Sequence, residues 1–411
     1  MRVLWFEVRT PSNYSGSNSL ISGWQDSLEA IIKKKNDIEL YIVFEGKRSD
    51  KQKKIGNVTY IPIPSKDVPV RYWLNNKVSW DYNAKVVSDY SLYIINQIHP
   101  DIIHIFGMEW SWAHIAGRTS IPCVVHIMGS IVPYYNALYP PSYSSFHYYK
   151  MLFPNVKKMF DFWCAEHKNK SWLEHEMKKW KIVNNYMGRT AWDHSLVDIL
   201  HQGAEYFHVD EAIRPTFLET NKRWQQPSGS HIRLLSVGCS SFWKGPDVML
   251  KTAYILKEVG VDFEWLVIGQ MDSTIKKMVE KKEKKLFEDN NISILGYLNP
   301  DSIVDHLCNC TLYVHTAYIE NSPNSICEAQ LLGVPIVSTN VGGISTLVGN
   351  DGFLVPANDP WQLASAIIKL SHDNDKMKMF SENGMAKAQI RHNPDLIMEQ
   401  LMNCYLKILA K

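Results

Sequence analysis

The chain has 411 residues with 44 basic and 42 acidic side chains, which gives a formal net charge of +2. A hydrophobic fraction of 45% and a charged fraction of 21% are ordinary for a globular protein, and they exclude disordered, collagen-like and coiled-coil chains. The near-zero net charge argues against a dedicated nucleic-acid binder, because such a domain is usually basic. The length predicts two or three domains.

The cysteines and the chain start indicate the compartment. The seven cysteines form no C-x-x-C pair, which argues against a zinc ribbon or a redox motif. The chain opens in strand-like sequence rather than in a signal peptide, and no stretch approaches the roughly 20 apolar residues that a membrane span needs. We therefore expect a cytoplasmic protein with reduced cysteines.

Short apolar runs alternate with helical patterns in two successive sets, which predicts an α/β fold with mostly parallel sheets. The first set of strands is expected at 3–8, 40–45, 58–64, 102–107 and 123–128, with helices at 23–35 and 83–98. The second set is expected at 232–238, 263–269, 292–296, 312–316 and 335–339. A polar Pro/Gly/Ser stretch at 224–230 separates the sets. We predict doubly wound domains at 1–224 and 225–392, followed by a C-terminal helix at 393–411.

The segment 133–181 does not fit this alternation. It is rich in tyrosine, phenylalanine and tryptophan, and lysines are interleaved with them. Basic and aromatic residues together are typical of a surface that rests on an anionic bilayer. The same residues could also pack an ordinary helical subdomain, so the segment is predicted only as an insertion in the first domain, with both interpretations open.

The most informative motif follows the strand expected at 312–316. Residues 320–335 read E-N-S-P-N-S-I-C-E-A-Q-L-L-G-V-P, with Asn324 as a plausible N-cap of a helix that would end at Gly333. Free backbone N–H groups at such a helix start can bind a diphosphate. Glu320 and Glu328 on either side of the helix start could accept hydrogen bonds from sugar and ribose hydroxyls. Taken alone, they also fit a capping residue and a solvated glutamate.

Together with V-S-T-N-V-G-G at 337–343 and G-F-L-V-P-A-N-D-P at 352–360, this motif resembles the retaining group 1 glycosyltransferases, glycosyltransferase family four. S-V-G-C-S-S-F-W-K-G at 236–245, V-I-G at 267–269 and I-L-G-Y-L at 294–298 extend the resemblance, which is thinner at 100–107 and 188–193. It implies the GT-B fold, in which two Rossmann-like domains face each other across a cleft.

The resemblance also implies roles for individual residues. Glu320 is expected near the donor sugar and Lys244 on the donor diphosphate, and these two are the predicted catalytic residues. Glu328 is expected on the ribose, the segment 295–298 on the nucleotide base, and the glycine turn at 14–17 on the donor phosphates. The predicted donor-binding residues are Gly16, Ser240, Ser241, Lys244, Gly269, Leu295, Tyr297, Leu298, Asn324, Ser325, Ile326 and Glu328.

Two departures from the family pattern bear on the site. Cys239 occupies the place of a common arginine beside Gly238, and Arg233, Ser240 or Ser241 are its conceivable substitutes. Met128 replaces a common histidine. His126 lies two residues earlier on the same strand face, so it is either an acceptor-side residue or a core histidine.

One further acceptor-side residue is predicted after a strand expected at 181–186. Arg189 could bind an acceptor phosphate there. Asp193 fits a capping box with Thr190, which is a structural explanation of that carboxylate.

The resemblance therefore implies a retaining hexosyltransferase that moves a sugar from a UDP- or GDP-sugar to a hydroxyl of a glycan. A lipid-linked acceptor in surface polysaccharide synthesis is expected, with peripheral contact at the cytoplasmic face of the membrane. No metal, cofactor or nucleic acid is expected. Two alternatives stay open, which are a nucleotide-sugar epimerase of the same architecture and a non-catalytic nucleotide-sugar-binding scaffold.

Overall fold

The computed structural model describes residues 1–16 and 23–411, and the chain forms two compact units. The first unit consists of Met1–Tyr135, Lys157–Ala212 and His392–Lys411, and the second of Asn136–Val156 and Ile213–Arg391. None of the helices in the described ranges is long and apolar enough to cross a membrane.

The strands of the two sheets alternate with helices along the chain. In the first unit they are β1 (Arg2–Glu7), β2 (Glu39–Glu45), β3 (Lys53–Ile55), β4 (Val58–Ile63), β5 (Ile102–Phe106), β6 (Cys123–His126), β7 (Asn185–Gly188) and β8 (Glu205–His208). In the second unit they are β9 (Ile232–Val237), β10 (Phe263–Ile268), β11 (Ile292–Gly296), β12 (Leu312–His315), β13 (Ile336–Thr339) and β14 (Gly352–Val355).

The helices connect these strands and cover the sheets. Those described are α1 (Ser12–Ser15), α2 (Trp24–Ile32), α3 (Trp73–Val78), α4 (Asp81–Ile98), α5 (Ile131–Tyr135), α6 (Ser145–Leu152), α7 (Val156–Trp180), α8 (Ala191–Leu200), α9 (Pro215–Glu219), α10 (Pro246–Glu258), α11 (Ser273–Glu283), α12 (Pro300–Asn309), α13 (Asn324–Leu331), α14 (Ile344–Val348), α15 (Pro360–Ser371), α16 (Asn374–Arg391) and α17 (Pro394–Leu409).

The central strands of each sheet are buried on both faces, which explains their apolar runs. Alternate residues of β1 pack into hydrophobic clusters on opposite faces of the sheet. Val3 and Trp5 pack with residues of α2 and α17, whereas Leu4 and Phe6 pack with residues of α4 and α8. The strand order is β3-β4-β2-β1-β5-β6-β7-β8 in the first sheet and β11-β10-β9-β12-β13-β14 in the second. Except for the antiparallel β3–β4 pair, neighbouring strands run parallel.

Both sheets contain a point where the chain order reverses. In the second sheet the chain moves outward from β9 through β10 to β11, then returns to the other side of β9 with β12. In the first sheet the same reversal separates β1 from β5. Ligands of open parallel sheets bind beyond the carboxyl ends of the strands at such reversals. The loops after β9, β12, β1 and β5 are therefore the positions where a ligand is expected.

The predicted α/β architecture with two doubly wound sheets is confirmed, and all ten strands of the two expected sets are present within one or two residues of their predicted ends. β3, β8 and β14 were not predicted. The strand expected at 181–186 was placed too early, since β7 spans Asn185–Gly188 and the residues before it form a turn after α7.

The compact units divide the chain at places other than the predicted boundaries. Phe217 and Trp224 are buried in the core of the second unit, so this unit begins near residue 213 rather than 225. The predicted insertion at 133–181 is shared, because 136–156 belongs to the second unit and 157–181 to the first. The C-terminal helix α17 is part of the first unit, where Leu401 and Tyr405 are fully buried.

Candidate functional site

Two loops meet at the reversal point of the second sheet. After β9, residues 238–245 end in a 3-10 turn (Phe242–Lys244), and α10 begins with Pro246 in its first turn. After β12, residues 316–323 lead into α13. The backbone N–H of Tyr318 donates to the carbonyl of Trp243 at 2.7 Å, and the hydroxyl of Thr316 donates to the carbonyl of Lys244 at 2.7 Å. The two loops are thus joined beside Lys244.

A glycine is required where these loops touch. Gly245 has a φ of +70°, and a Cβ atom built on it would lie 2.0 Å from the carbonyl oxygen of Thr316. Any side chain would push the loops apart, since real Cβ atoms do not approach a backbone oxygen this closely. The K-G sequence at 244–245 therefore has a structural cause as well as a functional interpretation.

The two predicted catalytic residues form an ion pair. Lys244 Nζ donates to Glu320 Oε1, and His315 Nε2 lies 3.2 Å from the same oxygen. The Glu320 side chain is 7% exposed and that of Lys244 is 23% exposed. The carboxylate is therefore buried behind a lysine that solvent can still reach.

The charge of Glu320 is fixed by these neighbours. Burial alone would raise the pKa of this carboxyl group, but the charge of Lys244 and the contact with His315 lower the pKa to about 2. Glu320 is consequently ionised throughout the physiological range. It can accept hydrogen bonds and stabilise positive charge, but it cannot serve as a general acid.

The backbone of Glu320 is held by the V-G-G motif that follows β13. Gly343 N–H donates to the Glu320 carbonyl at 3.0 Å. Gly342 has a φ of +53°, and a Cβ atom built on it would lie 1.7 Å from that carbonyl oxygen. A third loop of the same sheet edge therefore packs directly on the Glu320 backbone.

α13 begins four residues after Glu320. The predicted N-cap, Asn324, is wrong by one residue, because Pro323 occupies that position and has no side-chain donor or acceptor that could cap the helix. The N–H groups of Ile326 and Cys327 bond to the Pro323 carbonyl at 2.9 and 3.3 Å, so Ile326, a predicted donor-binding residue, has its N–H already engaged. The helix ends at Leu331, before the predicted end at Gly333.

Glu328 has a partner that the sequence did not indicate. Arg214, which immediately precedes α9, contacts Glu328 Oε1 through Nε at 2.8 Å and through a terminal nitrogen at 2.7 Å. Both side chains are largely buried. Because two guanidinium nitrogens converge on one oxygen, Arg214 fixes the orientation of the Glu328 carboxylate.

The remaining predicted donor residues of this unit lie in loops at the same edge. Ser240 and Ser241 follow β9, and Gly269, with a φ of +105°, follows β10 and donates its N–H to the Gly296 carbonyl at 2.8 Å. Around the end of β11, Tyr297 is exposed while Leu295 and Leu298 are partly buried against the core. The sheet topology thus brings the second-unit residues of the prediction to one edge.

Cys239 does not supply the missing positive charge. It is fully buried, and burial raises the pKa of its thiol to about 12. Arg233 cannot replace the family's arginine, because it lies at the amino end of β9 and binds Glu264 there. Of the three conceivable substitutes, only Ser240 and Ser241 lie in the loop that contains Lys244.

The predicted residues of the first unit are in different surroundings. Gly16 ends α1 with a φ of +64°, and Ser17 of the same predicted turn lies outside the described residues. His126 is fully buried on β6, with its ring 4.8 Å from that of Trp24, and burial holds its pKa well below the ordinary value. This geometry favours the core interpretation of His126.

Arg189 is engaged in structural contacts. Its guanidinium binds Glu211 at 2.8 Å and donates to the carbonyls of Ile127 and Met128 at 3.1 and 3.2 Å. These bonds join the carboxyl ends of β6 and β7. Whether Arg189 also binds an acceptor phosphate is not tested by these contacts and stays a prediction. The capping box of Thr190 and Asp193 is confirmed. Within the described ranges, no group of three or more His, Cys, Asp or Glu side chains could hold a metal ion.

Solved structures with similar folds cover the whole chain. A sucrose-phosphate synthase from Thermosynechococcus elongatus matches 100% of the chain over 99% of its own length, with a TM-score of 0.73 and 13% identity. Anabaena Alr3699/HepE, solved with UDP and glucose, matches 98% of each chain, with a TM-score of 0.66 and 15% identity. The fold of this chain is accordingly the two-domain GT-B fold, as the resemblance implied.

The sequence comparisons show what the second unit is similar to. Residues 219–387 match the family described as group 1 glycosyl transferases. The Staphylococcus aureus capsular polysaccharide biosynthesis glycosyltransferase CapM is 27% identical over 164 residues, which are 39% of this chain and 42% of the relative. Through this segment the chain is similar to the group 1 glycosyltransferases and resembles enzymes of surface polysaccharide synthesis. The chain spans about half or less of the length of the curated relatives it matches.

Proposed function

We propose that the protein is a retaining glycosyltransferase that uses a nucleotide-diphosphate sugar as its donor. The observation that carries this proposal is the buried Lys244–Glu320 ion pair at the reversal point of the second sheet. The pair supplies a reachable cation for a diphosphate and an ionised carboxylate for a sugar, in the part of the chain that matches the family.

The ion pair suits a reaction that separates charge. Cleavage of the bond from the sugar to the diphosphate leaves negative charge on the departing nucleotide and positive charge on the sugar ring. Lys244 and the start of α13 would stabilise the nucleotide, and Glu320 would accept hydrogen bonds from the sugar and stabilise its positive charge. The acceptor hydroxyl would attack the face that the diphosphate leaves, and its proton would pass to an oxygen of the departing diphosphate. With the leaving-group charge compensated in this way, the proposal needs no metal.

Arg214 and Glu328 would fix the nucleotide. The Arg214 contacts hold the Glu328 carboxylate in one orientation, which preorganises it to accept bonds from ribose hydroxyls. A UDP- or GDP-sugar is proposed as donor, and UDP is favoured because Alr3699/HepE, which shares the fold, was solved with UDP.

The acceptor is proposed to be a glycan of surface polysaccharide synthesis, because CapM is named for capsular polysaccharide biosynthesis. A lipid-linked acceptor is supported by an exposed aromatic and basic patch of the first unit. This aromatic patch consists of Val70, Trp73, Leu74, Phe160 and Trp163, all of them exposed, with Arg71, Lys77, Lys157 and Lys158.

The aromatic patch is built by two separate segments. The Lys77 ammonium lies 4.5 Å from the centre of the Trp73 ring and also pairs with Asp161 of α7. Phe160 and Trp163 stack with their ring centres 5.9 Å apart. Aromatic side chains surrounded by lysines suit the interface of an anionic bilayer.

Sedimentation with vesicles tests the membrane proposal. We expect the protein to bind vesicles containing phosphatidylglycerol more tightly than vesicles of phosphatidylcholine alone. The double variant Trp73→Glu/Phe160→Glu should lose this binding, whereas Trp361→Glu, which alters a 70% exposed tryptophan of the second unit, should keep it. Equal binding by all three proteins would remove the membrane proposal and leave the donor site unaffected.

The donor reaction is tested by following UDP-, GDP- and ADP-sugars by NMR with and without alkyl glycosides as acceptors. We expect turnover of donors of one nucleotide, and the first sugar released or transferred should keep the donor's anomeric configuration. Lys244→Met and Glu320→Gln should lower the rate about 100-fold or more. The exposed-site controls Lys277→Met and Glu258→Gln should not.

Other outcomes would contradict the proposal in distinct ways. An inverted product would contradict retention. Deuterium uptake into the donor sugar without transfer would indicate an epimerase. Nucleotide binding without turnover of any donor would indicate a scaffold. Unchanged turnover in folded Lys244→Met and Glu320→Gln variants would remove the site assignment.

A further inference from the structure

A carboxyl group at the reversal point of the first sheet is not used by the proposed donor site. Glu109 follows β5, one of the two strands at which the chain order reverses. A Cβ atom built on Gly107 would lie 3.0 Å from Glu109 Oε2, and one built on Gly129 would lie 3.7 Å from Oε1. Since Gly107 follows β5 and Gly129 lies after β6, the carboxyl group lies across the carboxyl ends of these two strands.

The polypeptide around Glu109 is held from α7. Trp172 Nε1 donates to the Glu109 carbonyl, and Lys179 Nζ donates to the Trp110 carbonyl at 2.6 Å. Gly107 has a φ of +86°, which turns the chain so that the Glu109 side chain returns over the strand end. The position of the carboxyl group is therefore fixed by its surroundings.

Glu109 differs from the neighbouring glutamate in its hydrogen bonds. Glu176 accepts bonds from the hydroxyl of Ser130, from the N–H of Ile131 at 2.8 Å and from Trp180 Nε1 at 3.1 Å. Oε2 of Glu109 is buried and has no partner among the described residues of the chain. A buried polar atom without a partner is costly unless a ligand or a solvent molecule satisfies it.

We propose that Glu109 is an acceptor-binding residue, whose carboxyl group holds a hydroxyl of the sugar acceptor at the carboxyl ends of β5 and β6. This inference rests on the proposed glycosyltransferase function. A strand end at the reversal of a parallel sheet is where a ligand is expected, and a polyhydroxylated ligand offers the partner that Oε2 lacks.

The protonation state of Glu109 gives the inference a pH dependence. Burial and the charge of Glu176 raise the pKa of Glu109 to about 8, against the opposing charges of Lys179 and Arg189. Below that pH the group carries its proton and can donate to a hydroxyl oxygen. Above it the group is a buried anion, and it can only accept. Acceptor binding that uses the O–H of Glu109 should weaken as the pH rises through about 8.

The test compares wild type with Glu109→Gln, using a nucleotide sugar that the wild type turns over. The acceptors are octyl glucoside, octyl galactoside and octyl mannoside, each below its micellar concentration. We expect the wild-type KM for the accepted glycoside to rise about tenfold between pH 7 and pH 9, as Glu109 loses its proton. In Glu109→Gln this KM should not depend on pH, because the amide donates on both sides of pH 8, and the KM for the donor should equal that of wild type. Gly129→Ala, which places a methyl group in contact with Glu109, should raise the KM for the glycoside at every pH. Glu174→Gln on the outside of α7 is the matched control and should behave as wild type.

Infrared difference spectra provide a readout that does not need transfer. The wild-type protein should have a carboxylic C=O band at pH 7 that is absent in Glu109→Gln and that shifts when a glycoside binds. The inference is wrong if folded Glu109→Gln matches wild type in KM and pH profile, or if none of the three glycosides is accepted or shifts the band. Failure of the proposed function is a separate result, since the wild type would then neither bind nor hydrolyse any nucleotide sugar.

Discussion

At the residue scale, the Lys244–Glu320 pair combines the proposed donor-binding role with a contribution to stability. A buried carboxylate is tolerated only when charges or hydrogen bonds compensate its lost hydration. Here Lys244 and His315 provide that compensation. In the absence of donor the lysine thus has a partner, and a bound diphosphate would compete with Glu320 for it.

The pair should make the protein sensitive to acid. The pKa of Glu320 is about 2 in the folded protein and near its ordinary value of 4.5 in the unfolded chain. A lowered folded pKa means that the stabilisation is present above about pH 4.5 and is lost as the pH falls towards 2. The shift corresponds to about 3 kcal/mol.

Urea denaturation at several pH values measures this contribution. Wild type should exceed Glu320→Gln in unfolding free energy at pH 7, and the difference should shrink between pH 4.5 and 3. Glu258→Gln, on an exposed surface, should follow wild type at every pH. A difference that stays constant down to pH 3 would show that the pKa of Glu320 is not lowered.

Gly342 provides a second prediction at this scale. A methyl group there would overlap the Glu320 carbonyl oxygen, so Gly342→Ala should move the Glu320 backbone as well as strain φ. Gly260, with a φ of +77° and open space around its built Cβ, is the matched control. Gly260→Ala should cost only the left-handed strain of about 1–2 kcal/mol, while Gly342→Ala should cost more and also lower donor turnover. Equal unfolding free energies and normal turnover would contradict this account.

The sequence predicted the motif residues of the site but not their partners. Glu320, Lys244 and Glu328 stand in ordered motifs, and each motif follows a strand whose apolar run is visible in the sequence. Arg214 lies 114 positions from Glu328, and no local pattern indicates that contact. His315 had a weak signal, because it ends a strand that precedes the motif. Glu109 gave none, because its raised pKa depends on burial and on Glu176 of a distant helix.

At the element scale, α17 belongs to the core of the first unit. The hydroxyl of Tyr405 accepts from Trp5 Nε1 at 3.0 Å and lies 2.6 Å from His104 Nδ1. Burial lowers the pKa of His104 to about 3, so its ring is neutral, and Tyr405 can donate to Nδ1. The helix is thus joined to β1 and β5 by a fully buried hydrogen-bond chain.

Tyr405→Phe should therefore destabilise the first unit. Removing the hydroxyl leaves the Trp5 N–H and a ring nitrogen of His104 buried without this partner, at a cost of about 1–3 kcal/mol. Tyr93→Phe, at an exposed position of α4, should have no effect. Urea denaturation of the two variants measures their unfolding free energies. Equal values for both variants would mean that the hydrogen bonds of Tyr405 do not contribute to stability.

The accuracy of the predicted elements depended on their length and burial. β1, β2 and β4 are continuous apolar runs covered on both faces, and such runs stand out in a sequence. β3 has three residues with two lysines, and β14 has four residues that begin with glycine, so neither carries a strand signal. The start of α13 was misplaced because Asn324 is a good capping type, whereas Pro323 occupies the capping position.

At the scale of the whole molecule, each unit is assembled from separate chain segments. The first unit needs α17, and the second unit needs 136–156, where Tyr143 donates to Glu283 at 2.9 Å and packs on Phe242. A linker-like composition at 224–230 marked a change of region, but the transition between the units falls at 212–213. A polar stretch rich in Pro, Gly and Ser predicts a flexible segment. The boundary of a compact unit depends instead on which side chains pack into the same core.

Fragments cut at the predicted boundary should therefore fail to fold. The fragment 1–224 lacks α17, and the fragment 225–411 lacks Tyr143, Phe217 and Trp224 of the second core. Neither should show a cooperative thermal transition or a native near-ultraviolet circular dichroism spectrum alone. Co-expression of both fragments, which restores every segment, is the matched control and should recover folded protein. A cooperative transition of isolated 1–224 would contradict the assignment of α17 to its core.

The central claim is that the reversal point of the second sheet binds a nucleoside diphosphate through Lys244, with Glu328 on the ribose. Calorimetric titration of UDP, GDP, ADP and CMP tests it most directly, with Lys244→Met and Glu328→Gln as variants and Lys277→Met as the matched control. We predict saturable binding of one nucleoside diphosphate, weakened about tenfold or more by each variant and unchanged by the control. Binding that neither variant weakens, or no binding of any of the four nucleotides, would contradict the account.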